Sequence, residues 1–98
     1  MKEKCIIVFK DHAIIRMLER NINRNEIIET IEHGEIIEDY KDDYPYPSCL
    51  MFKMVNHRPI HVVVANDIGE KKKIIITVYI PDKTTFKSDF KTRKKTLI

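Results

Sequence analysis

Only two glycines occur in the 98 residues, Gly34 and Gly69. Neither sits in a run, so the glycine-rich cradles that hold nucleotide phosphates in P-loop and dinucleotide-binding folds are excluded. The two cysteines, Cys5 and Cys49, form no CxxC pair and lie in apolar runs. They read as small buried thiols in a reducing compartment rather than as a disulfide. The four histidines and two cysteines make no zinc-finger or HExxH pattern, and the acids of 35–43 fit no EF-hand, so neither a metal nor a cofactor is expected. No apolar run approaches the roughly 20 residues of a bilayer span, and MKEKCIIVFKD lacks the apolar stretch of a signal peptide. These absences point to a small cytoplasmic protein.

Charge is present in both signs and unevenly placed. Residues 83–98 hold six of the eighteen Lys and Arg and one of the fifteen acids, Asp89. Residues 35–43 run the other way, with Glu35, Glu38, Asp39, Asp42 and Asp43 against Lys41. The expected layout is a single α+β domain over 1–82 and a basic tail over 83–98. Such a tail is either a contact for nucleic acid or an acidic partner, or a solvated end.

CIIVF (5–9) reads as a short first strand. Asp11 is placed to cap a helix over His12–Arg20, in which Ile14, Met17 and Leu18 fall at helical spacing, Ile14 and Leu18 supplying the buried stripe. Asn23 and Glu26 have capping-box spacing before a second helix, which carries Ile27, Ile28 and Ile31 and ends at Gly34 as a C′ residue. After Gly34 the period shortens to two. Strands are expected over 35–40, 49–55, 60–65 and 73–80, joined by short turns into an antiparallel meander. Alternation puts Ile60, Val62, Val64 and Ile74, Ile76, Val78, Ile80 on the helix side. His61, Ile75, Thr77 and Tyr79 fall on the opposite, exposed or ligand-bearing face. The expected fold is a short N-terminal strand, two helices, then a four-stranded antiparallel sheet.

His12, Arg16 and Arg20 stand at i, i+4 and i+8, a column of one imidazole and two guanidiniums on a helix face. Two arginines so spaced repel unless an anion lies between them. That anion is either internal, from Glu19 or the acids of 35–43, or a phosphate, which the planar guanidinium fork suits. His61, with Thr77 and Tyr79 on its face, is either a hydrogen-bonded structural histidine or a proton carrier. A His–Arg–Tyr set suffices in kind for RNA cleavage without a metal: a base takes the 2′-hydroxyl proton, arginine stabilises charge on phosphorus, and an acid protonates the leaving 5′ oxygen.

The runs HAIIRMLER (12–20), GEIIE (34–38), YPSCL (46–50), RPIHVVVA (58–65) and IITVYIPD (75–82) together resemble an uncharacterised family of small bacterial and archaeal proteins known only as a domain of unknown function. The resemblance covers about residues 10–82. His12, Arg16, Glu19, Arg20, Ile22, His61, Thr77, Tyr79 and Pro81 match its pattern, and Asn21 stands where the family usually has Gly. It implies a toxin-like architecture similar to the RelE, MqsR and BrnT ribonuclease toxins, and a neighbouring zinc-ribbon or helix-turn-helix antitoxin. On that basis the chain is expected to be a type II toxin, a metal-independent endoribonuclease acting on mRNA free or on the ribosome. His12, His61, Arg16 and Tyr79 are its expected catalytic set, and Arg20, Thr77 and Lys83 its RNA contacts. The alternative is a non-catalytic module that binds nucleic acid or protein.

Overall fold

A computed structural model describes residues 5–95. Seven elements follow in order: β1 (Ile6–Phe9), α1 (Asp11–Arg20), α2 (Arg24–His33), β2 (Glu35–Tyr40), β3 (Ser48–Val55), β4 (Arg58–Asp67) and β5 (Lys72–Tyr79). The sheet order is β1-β5-β4-β3-β2. Strands β2 to β5 form the antiparallel meander read from the sequence. The expected separate N-terminal strand instead joins the sheet, so the α+β fold has five strands in a mixed sheet. β1 pairs parallel with β5, from Ile6↔Lys72 to Phe9↔Ile75: the two helices carry the chain across to β2 at the opposite edge, and the meander from β2 to β5 then returns it beside β1. β1 stops opposite Ile75, so β5 runs on beyond it with no strand along that edge.

Both helices cover one face. Ile60, Val62 and Val64 point to it, as alternation requires, and meet Ile27, Ile31 and Ala13 in the core. In β5 the alternation slips. The register shifts between Val63 and Val64, Val63 pairing with Thr77 and Val64 with Ile75, which leaves Ile76 as an extra residue. A bulge of this kind reverses the facing of everything before it. Ile75, expected on the far face, is therefore fully buried beside Val78, while Ile74 lies opposite Ala65.

Helix α1 also sits differently from its apolar pattern. Ile14 and Leu18 are 43% and 79% exposed, and the inward residues are Ala13 and Met17. Alanine lets the helix approach the sheet closely, and Ile22, just beyond the helix, completes the seal. The N-cap is Lys10 without a side-chain cap bond; Asp11 is the first helical residue, where its charge still favours the helix dipole. Asn21 takes the left-handed conformation (φ 53°), which asparagine tolerates, and ends α1. The capping box of α2 is formed: Asn23 Oδ1 accepts from the Glu26 N–H at 2.9 Å, and Glu26 Oε1 from the Asn23 N–H at 3.0 Å. Gly34 ends α2 in extended backbone (φ −80°), not in the left-handed region. Its glycine is needed for space, since a Cβ would lie 2.4 Å from the Thr30 carbonyl oxygen and 2.7 Å from that of Phe52. Cys49 is buried, but Cys5, expected inside, is exposed.

One side chain ties the helical corner to the sheet. Arg58, opening β4, donates to the Arg20 and Asn21 carbonyls at 3.0 and 2.8 Å and to both Glu26 carboxylate oxygens at 2.9 and 3.0 Å. It thus satisfies carbonyls that the end of α1 leaves open and neutralises a carboxylate that is only 5% exposed. Burial pushes the Glu26 carboxyl up, but the Asn23 N–H and Arg58 outweigh it and hold the group below its ordinary value. Arg58→Ala strands that carboxylate and is expected to cost about 2–3 kcal/mol, a fall in Tm of roughly 10–20 °C measurable by circular dichroism. A variant melting with the parent would remove the clamp from this account.

Candidate functional site

The bare edge of β5 is where the first expected site residues meet. Helix α1 lies along it, and a cavity of about 290 Å3 is lined by His12, Arg16 and Arg20 from the helix and by Thr77, Val78, Tyr79, Ile80 and Asp82 from the strand and its exit. The i, i+4, i+8 column is what brings the three basic side chains to one flank, and Ala13 and Met17 at the neighbouring helical positions fix that flank against the sheet. Arg16 donates to Glu19 at 2.9 Å, a half-exposed pair of little energetic weight. The Arg20 and His12 side chains have no ionic or hydrogen-bonding partner among the described residues. The acids of 35–43 do not reach either arginine. The cavity therefore offers two guanidiniums and an imidazole to an outside anion, with one carboxylate, Asp82, at its rim. Asp82 is engaged by the Thr84 and Thr85 N–H groups and the Thr84 hydroxyl, which hold its carboxyl below the ordinary value. A second, larger hollow of about 590 Å3 begins on the other side of His12, lined by Phe9, Lys10, Asp11 and Ile76.

His61 is not in the cavity. It lies on the far face of the sheet, as alternation placed it, but that face is covered. Its exposure is zero. The cover is the basic tail, which folds back as a compact strap closed by backbone bonds from Lys87 N–H to Thr92 and from Lys94 N–H to Thr85. Asp89 caps the strap's turn through the Lys91 and Thr92 N–H groups and the Thr92 hydroxyl, which hold its carboxyl at about 2. Phe86, 2% exposed, packs edge-on to His61 with ring centroids 4.7 Å apart and stacks with Tyr79. Two ion pairs fasten the strap to the acidic edge strand: Lys91 to Glu35 at 2.8 Å, and Arg93 to Glu38 through Nε at 2.6 Å and Nη2 at 3.1 Å. Glu35 and Glu38 of the acidic run are thus the partners of Lys91 and Arg93 in the basic one. Residues 96–98 of the expected tail lie outside the described residues.

The hydrogen bonds around His61 fix its tautomer. Nε2 lies 2.6 Å from the Phe90 carbonyl, which only accepts, so Nε2 carries the proton. Nδ1 then accepts from the Tyr79 hydroxyl at 3.2 Å. Burial is the leading influence and lowers the imidazole pKa, against the Phe90 carbonyl and Glu38, which raise it. The Tyr79 hydroxyl is pushed up, chiefly by burial. Tyr79 belongs to both places, since it lines the cavity while its hydroxyl is given to His61. Of the seven residues expected to act together, five share the cavity, His61 stands behind Tyr79, and Lys83 follows Asp82 in sequence without lining the cavity.

Glu38, Arg93, Phe86 and Asp82 were not singled out by sequence reasoning. The complementary charge runs were the one signal that pointed to the first two. His57 and His61 stand four residues apart across a turn and a strand, and among the described residues no three His, Cys, Asp or Glu side chains converge on a point. Among the same residues no helix is long and apolar enough to cross a membrane.

A neutral buried His61 sets a direction for acid sensitivity. Its pKa is lower folded than unfolded, so the unfolded chain takes up the proton first and stability falls as pH drops below about 6.5. Glu26 and Glu38, also lowered on folding, Glu38 chiefly by its bond to Arg93, extend the loss below about pH 4.5. The expected result is a Tm that declines from pH 7 to 5 and then more steeply. A Tm constant between pH 7 and 5 would contradict the neutral, sealed imidazole.

No curated protein and no solved structure matches this chain. One family model does, over residues 9–80, which takes in the last residue of β1, both helices and strands β2 to β5. His12, Arg16, Arg20, His61, Thr77 and Tyr79 all fall inside the matched region, and the strap falls outside it. The chain belongs to this family, described as a domain of unknown function, DUF4258.

Proposed function

We infer that the protein binds RNA through the α1–β5 cavity and cleaves it without a metal, as the toxin of a type II toxin–antitoxin pair in the cytoplasm, with a fold of the RelE kind. The observation that carries this reading is the convergence of His12, Arg16 and Arg20 on one cavity, the last with a guanidinium unclaimed by any described carboxylate. Arginine forks suit a phosphodiester, and stabilising charge on phosphorus is the largest single service such a site offers. His12, exposed at the junction of the two hollows, is the proton carrier within reach of solvent. In the reaction a base takes the 2′-hydroxyl proton, the 2′ oxygen attacks phosphorus, and the 5′ oxygen leaves with a proton from the acid. That step gives a 2′,3′-cyclic phosphate and a free 5′ hydroxyl. Two proton carriers are needed, and the second is His61, which enters only when the strap lifts.

The protein partner of this reading is a small antitoxin of zinc-ribbon or helix-turn-helix type. Ile14, Ile15 and Leu18, exposed on α1 beside the cavity, offer it an apolar foothold next to the arginines. Burial of His61 favours the second reading, a non-catalytic module that holds nucleic acid with the same arginines.

Tightly induced expression in a bacterial culture separates the two. Growth arrest by the parent, lost in a His12→Ala/Arg20→Ala variant at equal soluble level, is the outcome expected of a ribonuclease, with cleaved ends bearing cyclic phosphate. Equal growth with both proteins, together with salt-dependent RNA binding by the parent alone, would transfer the cavity to the binding module.

A further inference from the structure

The two hollows that meet at His12 differ in chemistry. The smaller carries both arginines and suits a phosphate. The larger, of about 590 Å3, is lined by Phe9 and Ile76 together with one cation and one anion, Lys10 and Asp11. Those two charges offset each other, so this hollow does not select an anion. An apolar lining with a few polar groups, in a volume within the roughly 300–1,000 Å3 of small-molecule pockets, suits a flat uncharged ring. Ile76 owes its place there to the bulge in β5. Pairing passes from Val63↔Thr77 to Val64↔Ile75, so Ile76 has no partner in β4 and is 36% exposed. Bulges commonly re-aim a side chain beside a functional site. Here the extra residue lines the hollow at the notch where β1 ends at Phe9 and β5 runs on.

The order along α1 then matches the order of parts in a ribonucleotide. The apolar hollow, His12, Arg16 and Arg20 follow one another along the helix, as base, ribose and successive phosphates follow along a strand. Four residues of helix advance about 6 Å, close to the step between neighbouring phosphates of a single strand. We propose that the hollow of Phe9 and Ile76 is a base seat, which takes one unpaired nucleobase of a strand whose next phosphates lie on Arg16 and Arg20. The seat rests on the RNA reading of the α1–β5 cavity and gives that reading a direction. The ribose, between base and phosphate, lies against His12, so His12 takes the 2′-hydroxyl proton. The 2′ oxygen bonds to the phosphorus held at Arg16, the bond to the 5′ oxygen breaks, and that oxygen leaves with the proton of the acid. The cut falls on the 3′ side of the seated nucleotide, which keeps the cyclic phosphate. A paired base is held inside its duplex and cannot enter, so the substrate is single-stranded.

The experiment uses the full chain and a labelled single strand of DNA, which lacks the 2′-hydroxyl and is not cut by this route. The comparison is the same strand built wholly of abasic sites, and fluorescence anisotropy reads both. The parent is expected to bind the base-bearing strand at least about fivefold tighter than the abasic one. Ile76→Ala is expected to bring that ratio within about twofold, because the seat loses apolar contact with the ring. Melting checks the fold, and Ile76→Gln, which keeps the size and loses the apolar surface, serves should the alanine variant not fold. Arg20→Ala is expected to weaken both strands alike, since each carries the same phosphates. In RNA that the parent cuts, a single abasic ribonucleotide is expected to abolish the cut on its 3′ side and spare the one on its 5′ side. Equal affinity for the two strands, a ratio untouched in the folded Ile76 variants, or loss of the 5′ cut instead would overturn the seat and leave the arginine site standing. Binding of neither strand, or binding indifferent to Arg20→Ala, would remove the RNA reading itself and the seat with it.

Discussion

The bond between His61 Nε2 and the Phe90 carbonyl joins the two halves of the molecule. A five-stranded sheet has two faces, and the helices of this chain are enough for one. On the other, β4 and β5 present His61 and Tyr79, polar groups that water would otherwise satisfy. The strap satisfies them instead, by giving a backbone carbonyl to the imidazole and a phenylalanine ring to the surface around it. Burial of Phe86 carries most of the energy, since a buried phenylalanine is worth about 3–5 kcal/mol against alanine, while exposed ion pairs are worth about 0–1 kcal/mol each. The pairs of Lys91 and Arg93 therefore set where the strap lies more than how tightly it holds.

How far the sequence revealed this follows from which signals are local. The capping box of Asn23 and Glu26 and the antiparallel meander are short-range patterns, and they appear where the pattern puts them. Placement of β1 and the strap is not local, because each depends on which edge or face remains open after the others have packed. The bulge at Ile76 lies between these cases: one extra residue in an unbroken aliphatic run leaves no mark on composition, yet it reverses Ile74 and Ile75. Helix α1 misleads for a different reason. Its bulkiest residues, Ile14 and Leu18, face solvent, because Ala13 provides the close contact and the basic column needs the flank beside β5.

The candidate site was legible in its cavity and hidden in its cover. His12, Arg16 and Arg20 are read from one helix, and Thr77 and Tyr79 from one strand, so their meeting required only that α1 pack along β5. That His61 is sealed required the strap, whose composition suggested a solvated end or a contact for an outside acidic partner. Two of its six cations, Lys91 and Arg93, are answered from within by Glu35 and Glu38.

That internal answer changes where the protein is able to meet a polyanion. The net charge of +3 owes its sign to the tail, and a reading from charge alone would put nucleic acid there. With Lys91 and Arg93 held by carboxylates, each pair is close to neutral at a distance, and salt screens what remains beyond about 10 Å. The cations of the α1 cavity are fewer, but Arg20 has no carboxylate on it among the described residues, and Arg16 shares only an exposed, weak one. Guanidinium forks brought together on a helix packed against a sheet make a better phosphate site than a guanidinium already held by a carboxylate. Lys83, Lys87, Lys94 and Lys95 stay exposed and without a carboxylate among the described residues, so the closed strap still attracts a polyanion, while the arginine forks that suit a phosphate are offered at the cavity.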